Sequence, residues 1–205
     1  MSRKAESAAS QSEIEQVAQA VPVRSRILRG AATVFGVRGY GASSVEAILD
    51  AAQVSRRTFY RTFRSKEDVL RTLFDNSVQR LVRAVREAAG ERGAEPQPRA
   101  AAVEAYLRVH ANAGPLARVL LLEQFSPGSP LAESRNRAFA TFTRLMTLAS
   151  AESGKPPPDP VLVAAVVAGI NQVCVQMATG HPEGNWDVAR AKRAILRLLT
   201  VLDDG

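Results

Sequence analysis

The stretch VSRRTFYRTFRSK, residues 54–66, combines five basic side chains with two phenylalanines four residues apart. On a helix, at about 100° per residue, Phe59 and Phe63 share one face and Arg61 lies opposite them. Arg57 stands beside Arg61 on that opposite face. The pattern therefore predicts a short helix that has two aromatic anchors on one side and guanidinium groups on the other.

The positive charge of the chain is concentrated around this stretch. The chain has 27 Lys and Arg and 20 Asp and Glu, a formal net charge of +7, and a pI of about 10.3. Residues 24–66 hold nine basic and two acidic side chains, which accounts for the whole excess. A basic segment of this kind favours a polyanionic partner, either nucleic acid or an anionic membrane surface.

A second short helix is predicted just before this stretch. Ser43-Ser44-Val45-Glu46 has the spacing of a capping box and opens the helix VEAILDAA, residues 45–52. Its apolar side chains offer a surface for Phe59 and Phe63, and only three or four residues separate the two helices. Two short helices joined by a tight turn, the second one basic on its outer side, predict a helix-turn-helix.

The geometry of DNA then suggests roles for the polar residues. The major groove admits one helix, and an arginine can donate two hydrogen bonds to a guanine. We therefore predict base contacts from Arg57 and Arg61, with Arg56 next. Hydroxyl and ammonium groups beside them suit phosphates. The predicted DNA-binding residues are Ser43, Ser44, Arg56, Arg57, Thr58, Tyr60, Arg61, Arg64 and Lys66.

The rest of the chain reads as a series of helices. Ser65-Lys66-Glu67-Asp68 predicts a second capping box, which opens a long helix to about residue 91. Pro- and Gly-rich breakers then recur, and no period-two pattern of strands is present. The predicted fold is all-α with eight or nine helices. The later helices are expected at about 99–111, 115–125, 130–152, 160–179 and 185–202.

The motif GYGASSVEAILDAAQVSRRTFYRTFRSKEDVL, residues 39–70, resembles the tetracycline-repressor-like (TetR) family of bacterial transcriptional regulators. With the first helix, the resemblance covers about a fifth of the chain. Three residues depart from the family pattern. Leu49 stands for the usual Ala and Gln53 for the usual turn Gly. Arg57 replaces a Gly common before Thr-x-Tyr, which favours a distinct operator.

The resemblance implies a domain organisation and a mechanism. Residues 1–21 are expected to form a disordered arm, residues 22–67 the DNA-binding domain, and residues 68–205 a helical ligand-binding and dimerisation domain. The implied function is a repressor that binds a near-palindromic DNA operator as a homodimer and is released by a small apolar or amphipathic molecule. The alternatives are an effector-independent regulator controlled by a protein partner, and an all-α lipid-binding protein.

The apolar segment 161–178 shows two faces at helical spacing. Val163, Val166 and Ile170 belong to a bulky face, whereas Ala165 and Ala168 belong to a small, partly polar one. A helix buried on two sides suggests one face toward its own core and another toward a partner. We predict a four-helix dimer interface built from about 160–179 and 185–202. Ala191, Ile195, Leu198 and Leu199 are the predicted contacts of the second helix. A membrane span is the minor alternative, and no membrane association is expected.

Aromatic and polar residues on the apolar helix faces are candidates for a ligand pocket. Glu123, if buried, would favour a cationic ligand, because an unpaired buried carboxylate is costly. The predicted ligand-binding residues are Tyr106, His110, Glu123, Gln124, Phe125, Phe139, Phe142, Met146 and Asn171.

Enzymatic motifs are missing from the sequence. Cys174 is the single cysteine, which excludes an intrachain disulfide and a cysteine-based zinc cluster, and His110 and His181 are the only histidines. No HExxH, GxSxG or Gly-rich phosphate loop occurs. We expect no catalytic centre, no metal site and no cofactor. The absence of an apolar leader at the N-terminus and the lone cysteine predict a cytoplasmic protein.

Overall fold

The structure, a computed structural model, describes residues 21–90, 98–112, 114–152, 156–180 and 186–200. Within these ranges it contains nine α-helices and no strand, so the predicted all-α class is confirmed. The helices are α1 Val23–Arg38, α2 Val45–Ala52, α3 Arg56–Thr62, α4 Lys66–Gly90, α5 Pro98–Ala111, α6 Gly114–Glu123, α7 Ala132–Glu152, α8 Pro160–Thr179 and α9 Val188–Thr200. The predicted N-terminal arm, except for Val21, and His181 lie outside the described residues.

The chain forms two compact units, residues 1–69 and 70–205. The first contains α1, α2, α3 and the opening turn of α4. Its core consists of fully buried apolar side chains from all four helices: Ile27, Ala31, Phe35, Ile48, Phe59, Phe63 and Val69. The functional boundary predicted between residues 67 and 68 stays a prediction.

Helix α1 packs closely against the end of α2 because Gly30 has no side chain. A Cβ placed on Gly30 would come within 2.8 Å of the backbone nitrogen of Ala52. Arg26, one turn earlier, donates from its guanidinium to the carbonyl oxygens of Ala52 and Gln53. These carbonyls lack partners within α2, so Arg26 caps the helix C-terminus. The sequence reading did not identify either residue.

The turn between α2 and α3 uses a left-handed backbone. Gln53 has φ 52° and ψ 51°, and among the described residues it is the only non-glycine with positive φ. Gly is the usual residue at this position in the family pattern, and Gly adopts positive φ without strain. The turn does require the left-handed conformation, and Gln53 adopts it with a Cβ present.

The cap of α2 differs by one residue from the predicted capping box. Ser44 is the N-cap, and its Oγ accepts the N–H of Ala47 at 3.2 Å. Ser43 is buried instead, and its hydroxyl donates to the carbonyl oxygen of Gly39 at 2.6 Å. Both serines precede the helix, so the sequence alone did not distinguish which of them would cap it.

The second unit is organised around α8. One face of α8 is buried with residues of α5, α6 and α9 in a single apolar core. The Nζ of Lys192 on α9 donates to Glu104 on α5 at 2.6 Å, at the edge of this core. The core residues are Val103, Leu107, Leu121, Val166, Ile170, Cys174, Ala191, Ile195 and Leu199. By length and hydropathy α8 is also apolar enough to cross a membrane, a test that the core helix of a soluble protein passes as well.

The burial of α9 corrects part of the predicted dimer interface. Ala191, Ile195 and Leu199 are buried within the chain's own core. An amphipathic helix has one apolar stripe, and in α9 this stripe covers α5 and α8 of the same chain. Of the four predicted contacts on α9, only Leu198, which is 37% exposed, remains available to a partner.

Candidate nucleic-acid interface and ligand cavity

Two buried rings hold α3 in a defined orientation. Phe59 is fully buried and Phe63 is 2% exposed, and their ring centroids lie 6.3 Å apart. The guanidinium of Arg24 on α1 covers the Phe63 ring at 4.7 Å. Because both anchors point into the core, the opposite side of α3 must face solvent, as the helical spacing predicts.

That solvent side carries free guanidinium groups. Arg57, Arg61 and Arg64 are exposed. Among the described residues, none of their side chains makes a hydrogen bond or ion pair. Tyr60, 49% exposed, lies beside them with its ring edge against Phe59. Helix α3 therefore presents Arg57 and Arg61, and Arg64 follows two residues after its end. The donors of all three guanidinium groups are available to an external acceptor.

Arg56 is engaged within the protein. At the first position of α3, it forms an exposed ion pair with Glu46 of α2. The backbone N–H at Glu46 and, next, the charge of Arg56 hold the pKa of the Glu46 carboxyl below its usual range. Arg56 must leave this carboxylate, or share it, before it can contact a base.

The hydroxyl groups of Ser55 and Thr58 lie at the N-terminus of α3, which Ser55 caps. Ser55 is the N-cap, and its Oγ accepts the N–H of Thr58 at 3.1 Å and lies 2.9 Å from the Thr58 Oγ. Thr62, one turn on, donates to the carbonyl oxygen of Thr58 at 2.9 Å. Thr58 is half-buried, so its hydroxyl lies at the border of the exposed face.

Two of the predicted phosphate contacts are used inside the first unit. Ser43 is buried and its proton is donated to Gly39, as described above. Lys66 donates from Nζ to the carbonyl oxygens of Tyr40 at 3.1 Å and Ser43 at 2.8 Å, and it lies 4.4 Å from the Tyr40 ring centroid. The structure thus gives Lys66 a positioning role, because it ties the first turn of α4 to the segment that precedes α2.

A cavity of about 380 Å³ lies within the second unit. Its wall is formed by residues of α4, α5, α6, α7 and α8, mostly aromatic and aliphatic. Six of the nine residues predicted for a pocket line it: Tyr106, His110, Gln124, Phe139, Phe142 and Asn171. The sequence reading missed the contribution of α4, which includes Phe74, Ser77, Val78, Arg80 and Leu81. Phe74, Val78 and Leu81 recur at helical spacing, so this apolar stripe was the available signal.

Three predicted pocket residues lie elsewhere. Glu123 falls outside the stripe of α6 that faces the cavity, so no carboxylate lines it among the described residues and the idea of a cationic ligand loses its basis. Phe125 follows α6, is 48% exposed and lies 5.5 Å from the Arg135 guanidinium. Met146, one turn beyond Phe142 on α7, packs on the core around α8.

Apart from Arg80, the titratable groups that line the cavity are uncharged at neutral pH. Burial raises the pKa of the Tyr106 phenol well above its usual value. Burial lowers the pKa of His110. Its Nδ1 lies 2.9 Å from the Tyr106 carbonyl oxygen. When Nδ1 carries the proton and donates it to this carbonyl, Nε2 is free to accept a hydrogen bond. Tyr106 stacks on His110 at 4.5 Å and meets Phe142 edge-on at 5.6 Å.

A second depression, of about 390 Å³, adjoins the cavity along α4. Val78 lines both. Arg83 and Arg86 line the second one together with Glu87, so it has a basic excess. An apolar cavity with a basic groove beside it can accommodate an amphipathic molecule that carries negative charge.

Neither a metal-binding cluster nor an ionised thiol occurs in the described part of this unit. Among the described residues, no group of three or more His, Cys, Asp or Glu is arranged to hold a metal ion. Cys174 is fully buried, and burial raises the pKa of its thiol to about 12, so it is uncharged at neutral pH.

These features define a helix-turn-helix protein with a separate helical unit that encloses a cavity. Residues 27–73 match the family profile of the bacterial regulatory proteins of the tetR family. The match spans the helix-turn-helix and the start of α4, the region that contains the motif at residues 39–70.

The comparisons also found related proteins. Over 83 residues, 40% of this chain and 38% of the relative, the sequence is 36% identical to the HTH-type transcriptional activator FasR of Mycolicibacterium smegmatis. The match therefore spans well under two thirds of that relative. Two solved structures share the fold: the fatty acid degradation regulator FadR from Bacillus halodurans and FadR from Bacillus subtilis in complex with stearoyl-CoA. The structure from Bacillus halodurans is 22% identical with a TM-score of 0.71, and the match covers 87% of this chain and 95% of that one. The structure from Bacillus subtilis is 22% identical with a TM-score of 0.70, and the match covers 85% of this chain and 96% of that one.

Proposed function

We propose that the chain is a cytoplasmic, DNA-binding transcriptional regulator whose affinity for an operator is controlled by a small amphipathic molecule. The observation that carries this proposal is α3. Its anchors, Phe59 and Phe63, are buried. Its exposed arginines, Arg57 and Arg61, and Arg64 just after it have no partner among the described residues. The matched family consists of regulatory proteins rather than enzymes, in agreement with the lack of catalytic motifs.

Within this function, Arg57 and Arg61 are the base readers. Arg57 lies in the first turn of α3, the part of a recognition helix that reaches base edges. Arg64, Tyr60 and Thr58 border them and suit phosphates. Ser44 joins this set because its exposed hydroxyl still has a proton to donate, whereas Ser43 and Lys66 act by holding the segment before α2 in place.

The regulator acts as a homodimer on a near-palindromic operator. The exposed face of α8 supports this, since it consists of three alanines, Gln172 and Val161, which is 79% exposed. Leu198 of α9 lies beside Gly169 of α8, where an added Cβ would come within 3.4 Å of its side chain, and it extends the same face. A symmetric dimer would place two recognition helices about 34 Å apart, one turn of DNA.

The effector binds in the 380 Å³ cavity of the second unit. The aromatic wall suits an apolar body, and the arginines of the adjoining groove suit an anionic head group. The FadR structure that shares this fold was solved with stearoyl-CoA, a molecule of that chemical class. We propose an acylated anion as the effector.

We propose the repressor mode, in which the effector-bound form leaves the operator. A ligand that prefers a different spacing of the two α3 helices shifts the population away from the DNA-competent form. The relative FasR is named as an activator. A promoter-reporter assay separates the two modes: deletion of the regulator raises expression under the repressor mode and lowers it under the activator mode.

DNA binding is tested by alanine substitutions on α3. An operator is first selected from random DNA with the full-length protein, and its affinity is measured across a salt series. Arg57→Ala and Arg61→Ala should each weaken binding by about 1–3 kcal/mol and relax the preference at one base position. Arg118→Ala, an exposed arginine of α6, is the matched control and should leave affinity unchanged. Unchanged affinity in both α3 variants would refute the proposed interface.

A further inference from the structure

An exposed ion pair joins the two helices of the helix-turn-helix. Glu46 lies in the first turn of α2, and its carboxylate binds the guanidinium Nη2 of Arg56, the first residue of α3. The side chains of Glu46 and Arg56 are 58% and 59% exposed, so a bound molecule can reach both of them. Arg56 differs in this respect from Arg57 and Arg61, which have no partner among the described residues.

The ion pair reduces the attraction of Arg56 for phosphate. A free guanidinium is attracted to the phosphates of any DNA sequence, and each such contact releases about one counterion. In the pair, the carboxylate of Glu46 cancels this charge, and a phosphate that approaches Arg56 also meets a negative group. DNA can compete for Arg56 because the pair is exposed, but the loss of the pair offsets part of the gain.

The same ion pair leaves Arg56 able to contact a base. A guanidinium has N–H donors on each of its nitrogens, and Glu46 accepts from one nitrogen, Nη2. The first turn of a recognition helix reaches the base edges, and Arg56 lies in that turn of α3. A guanidinium already held at one edge loses less side-chain entropy when its other edge meets an acceptor on a base.

A second carboxylate on α2 provides a comparison. Asp50 comes one turn after Glu46, so the two lie on the same side of the helix. The Asp50 side chain is exposed and makes no hydrogen bond or ion pair in the described part of the chain. Glu46 and Asp50 are the two acidic residues of the basic segment 24–66. They carry the same charge, but of the two it is Glu46 that binds an arginine of α3.

We propose that Glu46 is a positioning residue that determines the specificity of DNA binding through Arg56. It suppresses contact of Arg56 with the phosphates of non-specific DNA and orients the free N–H groups of Arg56 toward a base of the operator. The inference rests on the proposed function, because it takes α3 as the recognition helix. It adds a negative residue to the determinants of specificity, one that acts by weakening the wrong complexes.

The test measures the affinity of full-length variants for two DNA duplexes. One contains the operator selected from random DNA, and the other has the same base composition in scrambled order. Glu46→Gln should raise the affinity for the scrambled duplex about fivefold in about 0.1 M salt, the order of one added phosphate contact. The slope of log Kobs against log salt should steepen by about 0.9 for that duplex. Operator affinity should change less than about twofold, because Arg56 already contacts the DNA there, so the ratio of the two affinities falls.

Two controls separate the ion pair from general effects of charge. Asp50→Asn removes the same charge from the same side of α2 without freeing an arginine, so it should keep the affinity ratio of the wild type. In an Arg56→Ala background, Glu46→Gln should no longer raise the affinity for the scrambled duplex, because no guanidinium is freed. Urea denaturation of each variant ensures that equal amounts of folded protein are compared.

Three results would overturn the inference. An unchanged affinity ratio in Glu46→Gln would show that the ion pair does not limit contact with non-specific DNA. An equal effect of Asp50→Asn, or a rise in affinity that persists without Arg56, would show that the carboxylate acts on phosphates directly. Arg57→Ala and Arg61→Ala are measured on the same operator. If they weaken binding while Glu46→Gln has no effect, the proposed interface stands and this inference alone fails.

Discussion

Gln53 departs from the family pattern in its side chain but keeps the left-handed backbone conformation of the turn. The turn between α2 and α3 needs a left-handed residue, and the chain supplies a glutamine at φ 52°. The sequence identified this position because Gly is usual there. It could not show that the turn keeps its shape, since that depends on contacts made elsewhere. Arg26, from α1, bonds to the carbonyl of Gln53 and helps to hold it.

At this residue we predict that Gln53→Gly stabilises the protein by about 1 kcal/mol. The left-handed conformation is strained for a residue with a Cβ and free of that strain for glycine. Gln53→Ala keeps a Cβ in the same conformation and should leave the stability close to that of the wild type. Urea denaturation measures both variants. A Gly variant no more stable than the wild type would show that the greater entropy of unfolded glycine outweighs the strain.

Helix α3 is the element on which the proposed function depends, and it is short. Seven residues cannot form a stable helix in isolation, so α3 depends on its anchors and its cap. The anchors could be predicted from the spacing of two phenylalanines. The ion pair between Arg56 and Glu46 could not, because the two residues belong to different helices and their distance depends on how these pack.

At the level of this helix we predict that Ser55→Ala destabilises the first unit by about 1 kcal/mol. The change removes the acceptor for the N–H of Thr58, so the first turn of α3 should fray. Because Arg57 lies in this turn, operator binding should also weaken. Ser55→Asn restores a neutral cap and should recover most of both losses. Urea denaturation and operator titration give the two readings. A fully stable Ser55→Ala variant would contradict the role of Ser55 as the cap.

Across the whole molecule, residues far apart in the chain jointly determine which polar groups are buried. His110 of α5 is half-buried beside Phe142 of α7 and Asn171 of α8 in the cavity wall. Its pKa is lowered by loss of solvent, in spite of the Tyr106 carbonyl that favours its protonated form. The unfolded chain therefore binds a proton at a higher pH than the folded chain does.

The lowered pKa predicts an acid-sensitive stability. As the pH falls below about 6.5, the unfolded state gains a proton that folded His110 resists, so stability is present above that pH and declines below it. The slope reaches at most about 1.4 kcal/mol per pH unit. His110→Gln should flatten the decline between about pH 7 and pH 5, above the range in which Glu46, Glu67 and Glu104 titrate. Parallel profiles for the two proteins, from urea denaturation at each pH, would rule out His110 as the cause.

The sequence by itself determined the helical class, the helix-turn-helix and the basic face of α3. Each of these depends on residues close in the chain, where helical spacing, capping serines and charge are read directly. The tertiary structure decided the rest. It buried Ser43 and bonded the ammonium group of Lys66 to two backbone carbonyl oxygens. It also placed three of the four predicted contacts on α9 in the chain's own core and brought α4 into the wall of the cavity. The physical reason is that an apolar stripe specifies that a face will be buried, but the packing of distant helices determines what covers it.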